Sequence, residues 1–371
     1  MELTSQDLAR YQRHLGLKGF GPEAQLRLKG GRVLVIGAGG LGCPALLYLA
    51  AAGVGRIVIV DPDRVDVTNL QRQVLYTDAD CGVLKAEAAS RRLRALNPLI
   101  EIVPVVGRFE RSNARELVRD CDVVVDGSDN FATRYLVNDA CVLEGRPFVY
   151  GAIHAFDGQL SVFNFRGGPT YRCLFPEPPA PGTVPNCAEA GVLGVLPGLI
   201  GTVQACEALK ILSCVGEPLS GRLLLWDALT MEVRSVKLAP TPGRGDICDL
   251  PPEGYGETCS VDEGDEADPD EIDVETLQMR LKSPGGIQLI DVREGYEREI
   301  AGTIEPAVHL PMSEIDAWSV GKALDPARPT CVYCAAGVRS LHVLPELRRR
   351  HGFSDVKSLR GGMNAWTRNR R

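Results

Sequence analysis

The stretch that most limits what this chain can fold into is residues 32–61. An apolar run, RVLVIG (32–37), leads into GAGGLG (37–42), then into a helix-like apolar stretch, CPALLYLAAAG, ending at Gly53. A second apolar run, RIVIVD (56–61), stops on an acid. Strand, glycine turn, helix and strand in this order predict a βαβ unit with parallel strands. Gly37, Gly39 and Gly42 occupy the G-x-G-x-x-G positions, with Gly40 and Leu41 between them and Asp61 about 20 residues further on. Glycines there let backbone N–H groups and a helix N-terminus approach a phosphate, and the acid is placed to accept a ribose hydroxyl. A tight strand–helix turn with no ligand is the plainer reading. The motif by itself does not separate a dinucleotide from ATP.

The residues that follow favour ATP. DPDRVDVTNLQRQVLYTDADCGVLKAEAA supplies Asp63, Thr68, Asn69, Leu70, Gln71, Arg72 and Gln73, then Lys85 at the start of the next predicted helix. A dinucleotide carries one pyrophosphate, which the glycine loop can hold, whereas a triphosphate needs further cations. Further on, CDVVVDGSDNFATRYLVNDAC reads as a buried strand, Val123 to Asp126, ending in a polar turn with Asp129 and Asn130. Carboxylates at the carboxyl ends of parallel strands sit in the ligand crevice, and one of Asp126 and Asp129 is a natural magnesium ligand.

Charge divides the chain. Residues 246–271 hold 11 Asp/Glu and no Lys/Arg; residues 1–245 hold 26 basic and 25 acidic side chains, and 272–371 hold 15 and 12. The net charge of −7 therefore belongs to the joint. A Pro- and Gly-containing acidic run is expected to stay extended, so the predicted organisation is a first domain over 1–245, a flexible linker over 246–271 and a second domain over 272–371. No long basic patch argues for nucleic acid, and no run of 18 apolar residues argues for a membrane span. The first residues lack a signal peptide's apolar core, so a cytoplasmic setting is expected, and the 12 cysteines are read as thiols, metal ligands or redox groups rather than disulfides.

In the last hundred residues, GIQLIDVREGYEREIAGTI reads as strand, turn and helix, PTCVYCAAGVRS as strand and loop, SLHVLPELRRRHG as helix, and VKSLRGGMNAW closes the pattern. This predicts a small α/β domain. Cys331 lies inside the apolar strand and is expected in the core. Cys334 stands where the strand ends, followed by small residues and then Arg339, at the start of a helix. Backbone N–H groups and Arg339 there favour an anion and a thiolate. An inert or phosphatase-like loop is the alternative.

Two resemblances rest on these residues. GAGGLG, VDPDRVDVTNLQRQ, DGSDNFATRYLVND, VPNCAEAGVLGVLPGLIG and ALKIL, spread over about residues 5–245, resemble the MoeB/ThiF family, bacterial relatives of ubiquitin-activating enzymes. D-V-R-E, C-x-x-G-x-R-S and G-G-M-x-A-W resemble a rhodanese domain over 272–371, departing at Thr303, where many members have His. The first resemblance implies a Rossmann-like, doubly wound sheet that adenylates the C-terminal Gly-Gly carboxylate of a small ubiquitin-fold sulfur carrier, using ATP and Mg²⁺. It implies phosphate contacts from the Gly40 region, Asn69, Arg72 and Lys85, a ribose contact from Asp61 and a magnesium contact from Asp129. It also implies that Arg13 reaches a partner subunit's site in a homodimer, and that Cys187 is a reactive thiol on a mobile loop. The second implies a Cys334 persulfide loaded by a cysteine desulfurase or thiosulfate. The first family commonly holds zinc with two Cys-x-x-Cys pairs; here those positions offer only Cys173 and Cys248, so zinc is expected to be absent. Two rival readings remain open: a non-catalytic scaffold that docks a ubiquitin-fold partner, and an NAD-dependent redox enzyme with a sulfur-handling tail. None of the five histidines, His14, His154, His309, His342 and His351, stands in a dehydrogenase motif.

Overall fold

The computed structural model describes residues 2–178, 191–251, 255, 269–283, 286–318 and 324–369. The chain forms two compact units, Met1–Thr258 and Cys259–Arg371.

The first unit is built on eight strands: β1 Arg32–Ile36, β2 Arg56–Asp61, β3 Glu101–Val106, β4 Val123–Asp126, β5 Phe148–His154, β6 Asp157–Phe163, β7 Arg222–Asp227 and β8 Val233–Lys237. Their order in the sheet is β3-β2-β1-β4-β5-β6-β7-β8. The first five are parallel and the last three extend the sheet antiparallel. Strand β1 shows why its sequence is apolar throughout: Val33 and Val35 face one core cluster while Leu34 and Ile36 face the other, as expected for a parallel strand covered on both sides. The predicted helix runs Gly42–Ala52 and stops at Gly53, whose φ of 85° is left-handed. Helix Val195–Ser213 is long and apolar enough to cross a membrane by length and composition. Here it packs on Gly42–Ala52, β5 and β6, with Leu196, Ile200, Ala205 and Ala208 in the core. The sheet order turns back on itself between β1 and β4, with Ile36 paired to Asp126. That reversal opens a crevice at the carboxyl ends of the two strands.

This unit runs past residue 245, where charge alone places its end. Leu250 is buried in the core, and the Tyr255 hydroxyl donates to Asp139 Oδ2 at 2.6 Å. The acidic run contains apolar groups that dock, and a charge count does not register them. Glu271, at the other end of the expected linker, already belongs to the second sheet. Residues 252–254 and 256–268 of that segment lie outside the described residues, and with them the expectation of an extended linker.

The second unit has five parallel strands, β9 Glu271–Ile272, β10 Gln288–Asp291, β11 Ala307–His309, β12 Thr330–Tyr333 and β13 Val356–Leu359, in the order β11-β10-β12-β13-β9. Helices Val274–Lys282, Gly295–Ala301, Val338–His351 and Gly362–Arg368 complete it. Cys331, fully buried in β12, is core as expected. The sheet order again turns back, between β10 and β12, where Asp291 pairs with Tyr333.

Candidate functional site

The glycine loop joins β1 to helix Gly42–Ala52 with little room to spare. Gly37 has a φ of 86°, and a Cβ on Gly42 would stand 1.9 Å from the Gly37 carbonyl oxygen. Among the described residues no side chain caps the helix start. Asp61, at the end of β2, is buried and fastens this loop: Oδ2 accepts the Ala38 N–H at 2.7 Å and Oδ1 accepts the Asp63 N–H at 2.8 Å. Burial pushes its carboxyl above the usual range, against those hydrogen bonds and nearby Lys85. Asp61 thus has a structural duty beside the ribose contact that the resemblance implies.

The turn after β4 closes the other wall. A Cβ on Gly37 would lie 2.8 Å from the Gly127 carbonyl oxygen, so the two turns touch. Asp126 is fully buried, with Oδ1 accepting the Ser128 N–H at 3.0 Å and Oδ2 without a hydrogen-bond partner among the described residues. Burial raises its pKa. The Asp129 carboxylate is exposed and makes no hydrogen bond among the described residues. Asn130 serves as the cap of helix Phe131–Leu143, accepting the Thr133 N–H at 2.9 Å. The donors offered here are hard oxygens, including one orphaned buried carboxyl oxygen. That donor chemistry suits magnesium.

Residues 67–73 lie against the loop. A Cβ on Gly40 would stand 3.6 Å from Arg72 Cδ, and one on Gly39 3.6 Å from Gln73 Nε2. Arg72 donates to the Thr68 carbonyl at 3.3 Å and to Asn69 Oδ1 at 3.4 Å, while Gln73 donates to Asn69 Oδ1 at 2.8 Å. Thr68 donates to Asp66, Leu70 packs against the core, and the Gln71 carbonyl meets Gly194. Lys85, buried at the start of helix Lys85–Leu96, pairs with Asp63 at 2.8 Å. The structure therefore brings Gly37, Gly39, Gly40, Leu41, Gly42, Asp61, Asp63, Arg72, Gln73 and the β4 turn into one crevice. Arg13 is not among them. It is exposed on a short helix, Gln12–Leu15, next to Tyr11, which packs on Gly53 at the far end of helix Gly42–Ala52. Cys187 lies outside the described residues.

Sequence reasoning missed Tyr76, whose hydroxyl donates to the Ala38 carbonyl at 2.8 Å and pins the loop from below. It also missed a clamp behind the crevice. Buried Asp139 takes a two-point contact from Arg172, at 2.8 and 2.7 Å, together with the Tyr255 hydroxyl. Arg172 lies over the rings of Tyr135 and Tyr255. No local motif marks either group; a buried Asp in a helical pattern is the only signal. Of the two candidate zinc ligands, Cys173 Sγ accepts the N–H groups of Thr170 and Thr241 at 3.4 and 3.3 Å, and Cys248 is exposed. Burial pushes the Cys173 thiol up, but these hydrogen bonds outweigh it and leave it below its usual value. Among the described residues no three His, Cys, Asp or Glu side chains gather to hold a metal.

In the second unit, Cys334 follows the central strand β12 and is buried. The Gly337 N–H points at its Sγ at 3.1 Å and the Ser340 hydroxyl at 3.6 Å. The single Ser340 proton can go instead to the Gly337 carbonyl, 2.7 Å away, and the Ser340 oxygen lies 2.7 Å from the Ser358 hydroxyl, so the loop is braced from β13. The G-G-M motif supports it from beside: Met363 N–H donates to the Cys334 carbonyl at 2.8 Å, and a Cβ on Gly362 would meet that oxygen at 2.4 Å. Arg339 departs from expectation in one respect. Its guanidinium makes a two-point pair with Glu297, at 2.8 and 2.5 Å. That pair is the main reason its pKa is raised. Burial would push Glu297 up, but Arg339 holds its carboxyl below the usual range. At the end of β10, Arg293 and Asp291 form a buried pair at 2.9 and 2.7 Å, with Arg293 over the Tyr333 ring.

These features agree with comparisons against known proteins. Residues 11–248 match the ThiF family and residues 273–369 the rhodanese-like domain. The probable adenylyltransferase/sulfurtransferase MoeZ of Mycobacterium tuberculosis is 45% identical over 373 residues, spanning 99% of this chain and 94% of that protein. The adenylyltransferase and sulfurtransferase MOCS3 of Aedes aegypti is 40% identical over 387 residues, spanning 99% and 88%. The sulfur carrier protein adenylyltransferase of Thermus thermophilus is 54% identical over 253 residues, 67% of this chain and 93% of that one. Among solved structures, Escherichia coli MccB with ATP superposes with a TM-score of 0.56 over 63% of this chain and 73% of that chain, at 22% identity, a likeness of fold. The chain belongs to the ThiF family, with a rhodanese-like domain as its second unit.

Proposed function

We propose that this enzyme adenylates the C-terminal carboxylate of a small ubiquitin-fold sulfur carrier ending in Gly-Gly and then converts it to a thiocarboxylate. The observation that carries this reading is the pairing, on one chain, of a glycine-loop crevice that holds Arg72, with Lys85 paired to its Asp63, and a buried, hydrogen-bonded thiol at Cys334. MoeZ and MOCS3 relatives span both units.

In the first step a carrier carboxylate oxygen attacks the α-phosphorus of ATP, the bond to the β-phosphate bridging oxygen breaks, and pyrophosphate leaves. The glycine loop positions the phosphates, and Arg72 and Lys85 lower the cost of bringing one anion up to another. A magnesium ion held by Asp129 would supply further charge neutralisation at the phosphates. In the second step a persulfide on Cys334 attacks the acyl carbon and AMP leaves, giving an acyl disulfide. A second thiol, for which we assign Cys187, attacks Cys334 Sγ and releases the thiocarboxylate. The resulting Cys187–Cys334 disulfide is returned to thiols by an external dithiol. Within this reading the enzyme is a cytoplasmic homodimer in which Arg13 serves the partner's crevice, and it holds no structural zinc.

The test is a single turnover with ATP, each Gly-Gly-ending carrier of the source organism and a sulfane donor, followed by intact-mass analysis. Cys334→Ala is expected to form acyl-adenylate but no thiocarboxylate, and inorganic sulfide is expected to restore part of the product. Thiocarboxylate formed from the sulfane donor at the wild-type rate would refute the route through Cys334.

A further inference from the structure

The loop Ala335–Val338 beside Cys334 carries no charged side chain, and the cation that follows it, Arg339, is held by both oxygens of Glu297. Beyond the end of β10, Arg293 is taken by both oxygens of Asp291, and Arg298 reaches the same carboxylate at 3.4 Å. From this we infer that Glu297 is a specificity-determining residue: it cancels the charge of Arg339, so that the Cys334 loop selects neutral or singly charged persulfides, R–S–SH, over the dianion thiosulfate as sulfur donors. The inference rests on Cys334 being the sulfur-bearing residue.

Both donors undergo the same displacement. With a persulfide, the Cys334 thiolate attacks the terminal sulfur, the R–S–S–H sulfur–sulfur bond breaks and RS⁻ leaves, giving Cys334–S–SH. With thiosulfate, the thiolate attacks the sulfane sulfur and sulfite leaves with the bonding pair, giving Cys334–S–S⁻. The difference is electrostatic. A thiolate approached by a dianion gathers three negative charges, and Arg339, the cation at the end of its loop, already answers a carboxylate. A persulfide adds no more than one charge, and the Gly337 N–H and Ser340 hydroxyl suffice to steady it. Glu297 also accepts the Glu294 N–H at 2.9 Å, a bond that Gln keeps.

The test compares kcat/KM for loading Cys334 from thiosulfate and from cysteine persulfide in the full chain. Glu297→Gln is expected to raise the thiosulfate value about tenfold while changing the persulfide value by less than about twofold. The gain is expected to fade as salt is raised. Ala336→Lys, at an exposed loop position with no partner acid supplied, is expected to move the same ratio in the same direction. An unchanged donor ratio in both variants, or equal changes for both donors, would overturn the inference and leave Glu297 a brace for the loop. Loading that persists in Cys334→Ala would instead overturn the reading of the site itself.

Discussion

The two units place their chemistry at the same topological position, the carboxyl ends of two parallel strands where the sheet order turns back, yet they treat their cations in opposite ways. In the first crevice, among the described residues, Arg72 donates to neutral acceptors alone, at 3.3 and 3.4 Å, and the carboxylate that holds Lys85 belongs to Asp63, whose side chain is 63% exposed. In the second, Arg293 is fully buried against Asp291, and Arg339 is locked to Glu297. A site that receives a polyanion must keep positive charge to offer. A site whose own nucleophile is an anion needs charge to steady a loop, and excess positive charge would draw dianions to it. Topology fixes where each site lies, and the pairing of its arginines fixes what it admits.

The comparison is open to attack, starting where the largest effect is expected. Asp129→Ala is expected to lower carrier-dependent ATP–pyrophosphate exchange by about 10³-fold, the loss of several kcal/mol of charge stabilisation at the phosphates, while loading of Cys334 from a sulfane donor stays unchanged. Exchange near the wild-type rate would remove Asp129 from the metal role. Asp291→Asn leaves Arg293 buried without its counter-charge and should cost the second unit about 3 kcal/mol. Calorimetry would read this as a lowered transition for that unit alone; an unmoved transition would mean that the pair is dispensable. Arg72→Gln is expected to slow exchange about 10²-fold without moving either thermal transition, because its contacts in the fold are weak. Smallest of all is Asp63→Asn. An exposed partner contributes at most about 1 kcal/mol, so the first unit's transition should move by less than about 4 °C. If it moves much further, Asp63 and Lys85 form a structural pair and the contrast between the two crevices narrows.

What could be read from the sequence was what depends on local stereochemistry. The Gly37–Gly42 turn, Asp61 at the end of β2, the polar turn after β4 and Cys334 at the end of β12 are each fixed by residues within one strand and one turn. What could not be read depends on partners far apart in the chain. Glu297 and Arg339 are separated by 42 positions, and Tyr76 and Ala38 by 38. Nothing in either local stretch announces the other. The end of the first unit escaped for a different reason. Composition averaged over the acidic run hides Leu250 and Tyr255, which are single residues with a seat waiting for them. Arg339 was legible as a cation beside a thiol; its neutralisation was not.

That seat bears on how the protein can be taken apart. A fragment ended at residue 245, where the charge pattern invites a cut, would strip Leu250 from an apolar recess and remove the tyrosine that covers one side of the Asp139–Arg172 pair. The newly wetted recess would give such a fragment a sticky patch and a softened rear wall behind the glycine-loop crevice. Poor behaviour of a short fragment would then report on the excision and not on any dependence of adenylation upon the sulfur-handling unit. A fragment that ends at Thr258 keeps both contacts, and only with it does separating the two activities become a fair experiment.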